Sequence, residues 1–179
     1  MVYVMLGTGF EEIEALAPVD LLRRAGVPVL TVGINGKTVT GGHGIAVEAD
    51  ITLEQMDLTD LEMIVLPGGL GGVASIRASR ETLDAVRFAH DNDRFVAAIC
   101  AGPTVLADLG ITDGRKTTCY PGQIGNMGAA IVEEKAFVRD GKLITGASAG
   151  CAVEFALALV EALRGADAAG TIRSQIVIR

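Results

Sequence analysis

Cys100 is the residue of this 179-residue chain that is best suited to chemistry, because it directly follows a predicted buried strand and precedes a predicted helix. The small neighbours Ala98, Ala101 and Gly102 allow the sharp turn of a nucleophile elbow, with cysteine in place of serine. Such a turn strains the nucleophile's backbone and exposes it at the sheet edge. The dipole of the following helix predicts a lowered thiol pKa, and nearby backbone N–H groups could hold an oxyanion. The alternative is a core cysteine, which is the usual state of a free thiol.

Glu14 is the second candidate, because it falls in the first turns of the helix predicted after the first strand. That position places it at the carboxyl edge of a parallel sheet, the same edge as Cys100. On a helical period it shares a face with Pro18, which points its carboxyl toward the sheet. Burial there predicts a raised pKa, so the carboxyl could donate a hydrogen bond to the sulfur or transfer a proton. For Glu11 and Glu12, attraction to the helix dipole is a sufficient explanation.

Three further residues are weaker candidates for the same edge. His43 lies between glycines in a predicted loop and could reach the site, whereas His90 closes a helix and is expected at the surface. Tyr120 follows a short strand and could line the edge. Ser148 precedes the last predicted helix, where backbone amides could line a pocket, but an ordinary helix cap explains it equally well. We expect Cys151 in the core rather than in the chemistry.

Short β-branched runs alternate with longer amphipathic runs along the chain. Strands are predicted over residues 2–6, 28–33, 63–66, 95–99, 143–145 and 175–178, and residues 39–50 are predicted to be extended. Helices are predicted over residues 11–25, 80–92 and 152–163 and after Cys100. Asn35-Gly36 and Asp140-Gly141 are typical of hairpins. This alternation predicts an α/β fold, in which helices cover both faces of a mainly parallel sheet, as a single domain over residues 1–179.

The composition excludes several classes of protein. Half of the residues are hydrophobic and 21% are charged, which excludes a disordered chain. The net charge of -7 and the lack of a basic stripe argue against a nucleic-acid partner. The apolar run 155–160 is bounded by glutamates and is too short to span a membrane, and we expect no signal peptide. Three cysteines without metal-type spacing indicate free thiols in the cytoplasm, with no metal or cofactor.

One glycine-rich segment imitates a nucleotide-binding motif. Residues 69–74 match G-x-G-x-x-A and follow a predicted strand. However, the next strand ends in Cys100, where an acidic residue should bind the ribose. We therefore expect these glycines to let one backbone segment pass close to another.

Five motifs together make the chain resemble the ThiJ/PfpI superfamily. It is most similar to the branch that includes the Parkinson's-disease-associated deglycase and the bacterial ThiJ-type proteins. The motifs span nearly the whole chain in the expected order: Gly9-Phe10-Glu11-Glu12-Ile13-Glu14, Asp20-Leu21-Leu22-Arg23-Arg24-Ala25-Gly26, Val65-Leu66-Pro67-Gly68-Gly69, Ala97-Ala98-Ile99-Cys100-Ala101-Gly102-Pro103 and Glu154-Phe155-Ala156-Leu157-Ala158.

The resemblance implies a flavodoxin-like three-layer α/β/α sandwich that usually forms a homodimer. It also implies that Cys100 is the reactive cysteine and that Glu14 is the acid bonded to it. The backbone amides of Gly69 and Ala101 would form the oxyanion site. Arg24 matches an arginine that lies close to the dimer interface in relatives.

The chain also departs from its relatives at informative positions. Tyr120 stands where some relatives have a histidine before the proline, and His43 stands where some have an arginine. His43 could therefore enter the site, including from the partner subunit. Ala101 replaces the histidine of a protease-like branch, and the His-Pro-Glu segment of glutamine amidotransferases is missing. Both of these activities are therefore disfavoured.

The resemblance implies a cysteine-dependent, glutathione-independent enzyme that acts on 2-oxoaldehydes, on glycated proteins, or on both. The Cys100 thiol would add to the aldehyde to give a hemithioacetal, and Glu14 would move a proton between adjacent carbons. No cofactor or metal is expected. One alternative is an oxidative-stress sensor whose Cys100 oxidises to sulfinic acid without turnover. A chaperone-like module is a further alternative, in which the thiol has no role.

Overall fold

Strands and helices alternate along the chain in the computed structural model, which describes residues 1–178. Within those residues the strands are β1 (Val2–Leu6), β2 (Val29–Gly33), β3 (Thr38–Thr40), β4 (Ala46–Glu48), β5 (Ile51–Thr52), β6 (Met63–Leu66), β7 (Phe95–Ile99), β8 (Lys116–Thr117), β9 (Ile131–Val132), β10 (Phe137–Asp140) and β11 (Leu143–Gly146). The helices are α1 (Glu12–Arg24), α2 (Leu70–Ala78), α3 (Arg80–Asp91), α4 (Pro103–Asp108), α5 (Ala152–Arg164) and α6 (Ala166–Gln175).

The central sheet has seven strands in the order β10-β11-β7-β6-β1-β2-β5. Only the edge strand β10 runs antiparallel to its neighbour, and the other six strands are parallel. Every residue of β1, β6, β7 and β11 is buried. Burial on both faces explains why β1, β6 and β7 are continuous apolar runs, without an alternation of apolar and polar residues.

Helices cover both faces of this sheet. On one face α1 and α5 pack against the strands through fully buried residues such as Leu22 and Phe155, and α6 packs against α5. On the other face α2, α3 and α4 contribute residues such as Val86 and Val105. The predicted flavodoxin-like three-layer α/β/α sandwich with a mainly parallel sheet is confirmed.

The first predicted hairpin lies elsewhere in the chain. Asn35-Gly36 lies between β2 and β3, and these two strands do not pair with each other. Strand β2 pairs instead with β1 and β5 in the central sheet. The hairpin is formed instead by β3 and β4, so a turn over residues 41–45 interrupts the stretch that was expected to be extended. The second hairpin, at Asp140-Gly141, is confirmed by the antiparallel pairing of β10 with β11.

Two helices were not predicted. The strand expected over residues 175–178 is wrong, because α6 ends at Gln175 and residues 176–177 form a turn. Helix α6 packs Ile172 into the core beside α5. Helix α2 begins within the glycine-rich segment that imitates a nucleotide-binding motif. Its glycines do permit close approach, because a Cβ at Gly72 would lie 2.7 Å from the Cα of Phe10.

The fold brings the chain segments that leave β1, β6 and β7 to one edge of the sheet, since these strands are adjacent and parallel. Ligands bind at this carboxyl edge in open α/β sheets. Within residues 1–178, none of the helices combines the length and the apolar character that a membrane span requires.

Candidate active site

Cys100 occupies a strained turn directly after β7. Its φ angle is +63°, a region that residues other than glycine rarely adopt. The Cys100 N–H donates to the carbonyl of Gly146 at 2.9 Å, and its carbonyl accepts from the Tyr120 N–H at 2.9 Å. The half-buried residue is therefore held from both sides, and α4 begins three residues later at Pro103. The strained turn expected at Cys100 is present, at a cost of about 1–3 kcal/mol, whereas the role of the thiol as a nucleophile stays a prediction.

Glu14 is completely buried in the first turn of α1, as the helical period predicts. Its Oε2 accepts a hydrogen bond of 2.9 Å from the Gly68 N–H. Its Oε1 is buried without a hydrogen-bond partner of regular geometry among residues 1–178. The Cys100 thiol lies close enough to lower the proton affinity of this carboxyl. Glu14 therefore offers one anchored oxygen and one free oxygen to the chemistry at the sulfur.

Gly68 makes this close approach possible. A Cβ at position 68 would lie 2.7 Å from the Cβ of Cys100 and would collide with Oε2 of Glu14. Only glycine therefore allows the thiol, the carboxyl and the backbone that follows β6 to converge.

The two reactive groups strongly affect each other's proton affinity. Burial raises the pKa of Glu14 to about 7, although hydrogen bonding to the Cys100 thiol opposes the rise. Burial and the negative charge of Glu14 raise the pKa of the Cys100 thiol to about 12. The raised pKa expected for Glu14 is confirmed. The lowered pKa expected for Cys100 is wrong, because burial and the nearby carboxylate outweigh the N–H groups of Ala101 and Gly69.

These proton affinities mean that the pair titrates as a unit and holds one proton between about pH 7 and pH 12. Transfer of that proton from Sγ to the Glu14 carboxylate leaves the charge of the buried pair unchanged. The amides of Gly69 and Ala101 stabilise the ionised sulfur. The site can therefore generate a thiolate by internal proton transfer, without releasing a proton to solvent.

A pocket of about 200 Å³ opens above the sulfur. Gly69, Ala101 and Tyr120 lie where the sequence placed them, at the same edge as Cys100. The residues lining the pocket are Glu11, Gly69, Leu70, Cys100, Ala101, Tyr120 and Gln123. Sequence reasoning missed Leu70 and Gln123, which carry no chemical signal, and it treated Glu11 only as a partner of the helix dipole.

His43 belongs to a different arrangement beside the pocket. Its ring Nδ1 lies 2.7 Å from Oε2 of Glu12, and its backbone N–H donates to Oε1 of Glu12 at 2.8 Å. These hydrogen bonds overcome the effect of burial and lower the pKa of Glu12, while the pKa of His43 is raised by its bond to Glu12. Glu12 therefore anchors the β3–β4 hairpin to α1, a role that the dipole explanation missed. His43 does not line the pocket within this chain, and its entry into the site of a partner subunit stays a prediction.

Arg24 and Ser148 lie outside the pocket. Arg24 pairs with Asp20 at 2.9 Å near the C-terminal end of α1, so its predicted place at a dimer edge stays a prediction. Ser148 does not cap a helix through its side chain, and its Oγ lies 4.0 Å from the Cys151 sulfur. The backbone of this segment does reach the site, because the Ala149 N–H lowers the pKa of Glu14.

Comparison with solved structures places this site in a known fold. The crystal structure of Drosophila melanogaster DJ-1beta superimposes with a TM-score of 0.94 and 34% identity over 99% of this chain and 97% of that chain. A structure of Toxoplasma gondii DJ-1, described as oxidized, superimposes with a TM-score of 0.94 and 30% identity over 98% and 97% of the two chains.

Sequence comparison agrees with the structural match. The protein dj-1beta of Drosophila melanogaster is 39% identical over 168 residues, which cover 92% of this chain and 89% of that protein. A deglycase of Pyrococcus horikoshii is 33% identical over 124 residues, which cover 69% of this chain and 74% of that protein. The model of the DJ-1/PfpI family matches residues 1–162. With its cysteine elbow and buried glutamic acid, the chain belongs to the DJ-1/PfpI family.

Proposed function

We propose that the chain converts 2-oxoaldehydes such as methylglyoxal to 2-hydroxy acids, with Cys100 as nucleophile and Glu14 as proton carrier. The observation that carries this proposal is the buried Glu14 carboxyl, which interacts with the Cys100 thiol and whose Oε1 has no regular hydrogen-bond partner among residues 1–178. The family membership and the relative named as a deglycase support chemistry on aldehydes and their adducts. Neither glutathione nor a metal takes part in the proposed reaction.

The first step is addition of the sulfur to the aldehyde. The Cys100 thiol passes its proton to the Glu14 carboxylate while a bond forms between Sγ and the aldehyde carbon. The electron pair of the C=O bond moves to oxygen, where the N–H groups of Gly69 and Ala101 can stabilise the negative charge. Glu14 then returns the proton to this oxygen. The product is a neutral hemithioacetal, and Glu14 is again a carboxylate.

The second step moves hydrogen between adjacent carbons. Glu14 removes the proton from the carbon bonded to sulfur, and an enediolate forms. Return of this proton to the neighbouring carbon, together with transfer of the hydroxyl proton from the first oxygen to the second, gives a thioester of the hydroxy acid. Water then cleaves the C–S bond, which restores the thiol and releases the acid. Methylglyoxal plus water thus yields lactate, and no external oxidant or reductant is needed.

Early glycation adducts of proteins are a second class of substrate for the same proposed chemistry. The pocket of about 200 Å³ opens to solvent beside the exposed side chains of Leu70 and Tyr120. A small aldehyde fits inside it, and the reacting end of a larger adduct could enter from the surface. We therefore propose glycated proteins as alternative substrates rather than as the only ones.

The direct test is lactate formation from methylglyoxal by the purified protein, after subtraction of buffer-catalysed loss. We expect Cys100→Ala to reduce lactate to background, and Glu14→Gln to reduce it by about 100-fold or more. Cys151→Ala is a matched control, because this half-buried thiol lies outside the pocket, and it should leave the rate unchanged. Equal turnover by Cys100→Ala would overturn the proposal.

A redox role is the second candidate, and the oxidized state of the Toxoplasma gondii structure favours it. In this proposal peroxide oxidises Cys100 to the sulfinic acid. The sulfinic acid oxygens, in place of the thiol proton, then interact with the groups that line the pocket. Intact-mass analysis after mild peroxide treatment would show a gain of two oxygen atoms on Cys100. Oxidation of this kind without any lactate formation would favour the sensor over the enzyme.

We further propose a cytoplasmic homodimer. The cysteines Cys100, Cys119 and Cys151 are all free, which suits a compartment where thiols stay reduced. Helix α1 exposes the apolar side chains of Ile13 and Leu16, which a second copy could cover. Sedimentation of the purified protein would test the dimer, and a monomer at micromolar concentration would contradict it.

A further inference from the structure

The geometry points to Glu11 as the residue that restricts the Cys100 pocket to uncharged electrophiles and disfavours those that carry a carboxylate. The inference rests on the proposed function for its substrate class, which it narrows to neutral oxoaldehydes. Aldehydes that bear a carboxylate next to the reacting carbon would be disfavoured.

Glu11 is the charged member of the pocket lining. The other side chains that surround the opening are apolar, neutral polar or the thiol itself, and among residues 1–178 no basic side chain lines the pocket. His43, the titratable group of the nearby hairpin, is engaged with Glu12. An entering carboxylate would therefore meet the Glu11 charge without a compensating cation within this chain.

Two hydrogen bonds hold Glu11 in this position. Its Oε2 accepts a bond of 2.7 Å from the N–H of Glu14, and its backbone N–H donates to the carbonyl of Gly68 at 3.0 Å. The side chain is half-buried and caps the first turn of α1. Because the carboxylate is tied to the backbone, it cannot swing away when an anion approaches.

The rest of the pocket attracts anions. The N–H groups of Gly69 and Ala101 point at the sulfur, and helix α2 begins at the pocket with its positive dipole end. Glu11 opposes this attraction with a full negative charge. When the Glu11 charge is removed, the N–H groups and the dipole of α2 remain, so anions should enter the pocket readily.

The expected effect follows from the interaction of two unit charges. At a separation of about 6–8 Å and an effective dielectric constant of about 40, one charge changes the rate of an anionic reagent by about fivefold to tenfold. A neutral reagent of the same size should be unaffected. The ratio of the two rates therefore reports the Glu11 charge, and any change in the ionisation of Cys100 cancels from it.

The experiment compares alkylation of Cys100 by iodoacetamide, which is neutral, with alkylation by iodoacetate, which is anionic. The modified Cys100 peptide is quantified by mass spectrometry in the full-length protein. We expect Glu11→Gln to shift the ratio about fivefold to tenfold toward iodoacetate, because glutamine keeps the capping oxygen and loses the charge. Glu54→Gln removes an exposed charge outside the pocket and should leave the ratio unchanged.

A second charge-removing variant protects the test against misfolding. Glu11→Ser retains an oxygen that can cap α1 and should shift the ratio in the same direction, whereas Glu11→Asp keeps the charge and should retain the wild-type ratio. An unchanged ratio in Glu11→Gln or Glu11→Ser would overturn the inference. Alkylation requires no turnover, so a shifted ratio without lactate formation would refute the proposed enzyme and leave the assignment of Glu11 standing.

Discussion

Replacing Glu14 by glutamine should stabilise the protein at alkaline pH while removing its activity. Glu14 is fully buried, and its pKa rises from an ordinary 4.5 to about 7 in the folded state. The folded protein therefore holds this proton more tightly than the unfolded chain does. The contribution of Glu14 to stability is therefore greatest below pH 4.5 and is lost as the pH rises through about 7.

The size of this loss follows from the two pKa values. A change from 4.5 to about 7 corresponds to about 3 kcal/mol when the pH is well above 7. Between pH 5 and pH 8 the wild-type protein should lose about 2–3 kcal/mol of unfolding free energy through this one group. Glutamine keeps an oxygen for the Gly68 N–H and carries no charge, so Glu14→Gln should escape that loss.

Urea unfolding of both proteins at pH 5 and pH 8 measures the difference. Glu12→Gln is the matched control, because Glu12 lies two residues away, is also buried, and has a lowered pKa. Its carboxylate stabilises the fold above the ordinary pKa, and this contribution is lost as the pH falls, so Glu12→Gln should be destabilised at both pH values. If Glu14→Gln gained less than 1 kcal/mol relative to wild type between pH 5 and pH 8, the claim that Glu14 is a desolvated carboxyl would fail.

Three further predictions concern the positions around this pair. Gly68→Ala places a Cβ 2.7 Å from the Cys100 Cβ, so we expect lactate formation to fall at least about tenfold and stability to fall by about 1–3 kcal/mol; wild-type kinetics would contradict the steric argument. Cys100→Gly should be about 1 kcal/mol more stable to urea than Cys100→Ala, because glycine relieves the φ of +63°; equal stabilities would mean that the elbow is unstrained. The raised pKa of His43 means that its ion pair with Glu12 stabilises the hairpin at pH values between about 4.5 and 6.5, where both groups are charged, and that this stabilisation is lost as the pH rises above the pKa of His43. Hydrogen exchange at the Gly42 amide should therefore become less protected with rising pH, and His43→Ala should abolish this dependence.

The buried strands and the elbow could be predicted from sequence because their signals are local. A continuous apolar run such as β7, followed directly by Cys100 and small residues, is typical of a buried strand that ends in a sharp turn. The period of α1 likewise places Glu14 toward the sheet. These features depend on neighbours in the chain, and the structure confirms them.

The missed features depend on partners that are distant in sequence. The raised pKa of Cys100 arises from burial and from Glu14, which lies on a different element, and a helix dipole cannot be weighed against a charge whose distance is unknown. Glu12 acquires its role from His43, which is 31 residues away. The segment before the C-terminal apolar run forms α6 because Ile172 packs into the core beside α5, and the run itself, which alone suggests a strand, begins with a turn after the helix.

The pH dependence of kcat/KM for methylglyoxal tests most directly the claim that Glu14 accepts the proton of Cys100. This ratio reports the ionisation of the free enzyme. The account predicts a rise through about pH 7, the pKa of Glu14, then a plateau, and a strongly reduced rate without that rise in Glu14→Gln. An identical profile in both proteins, or a single rise near about 8.5 as expected of an ordinary thiol, would contradict it.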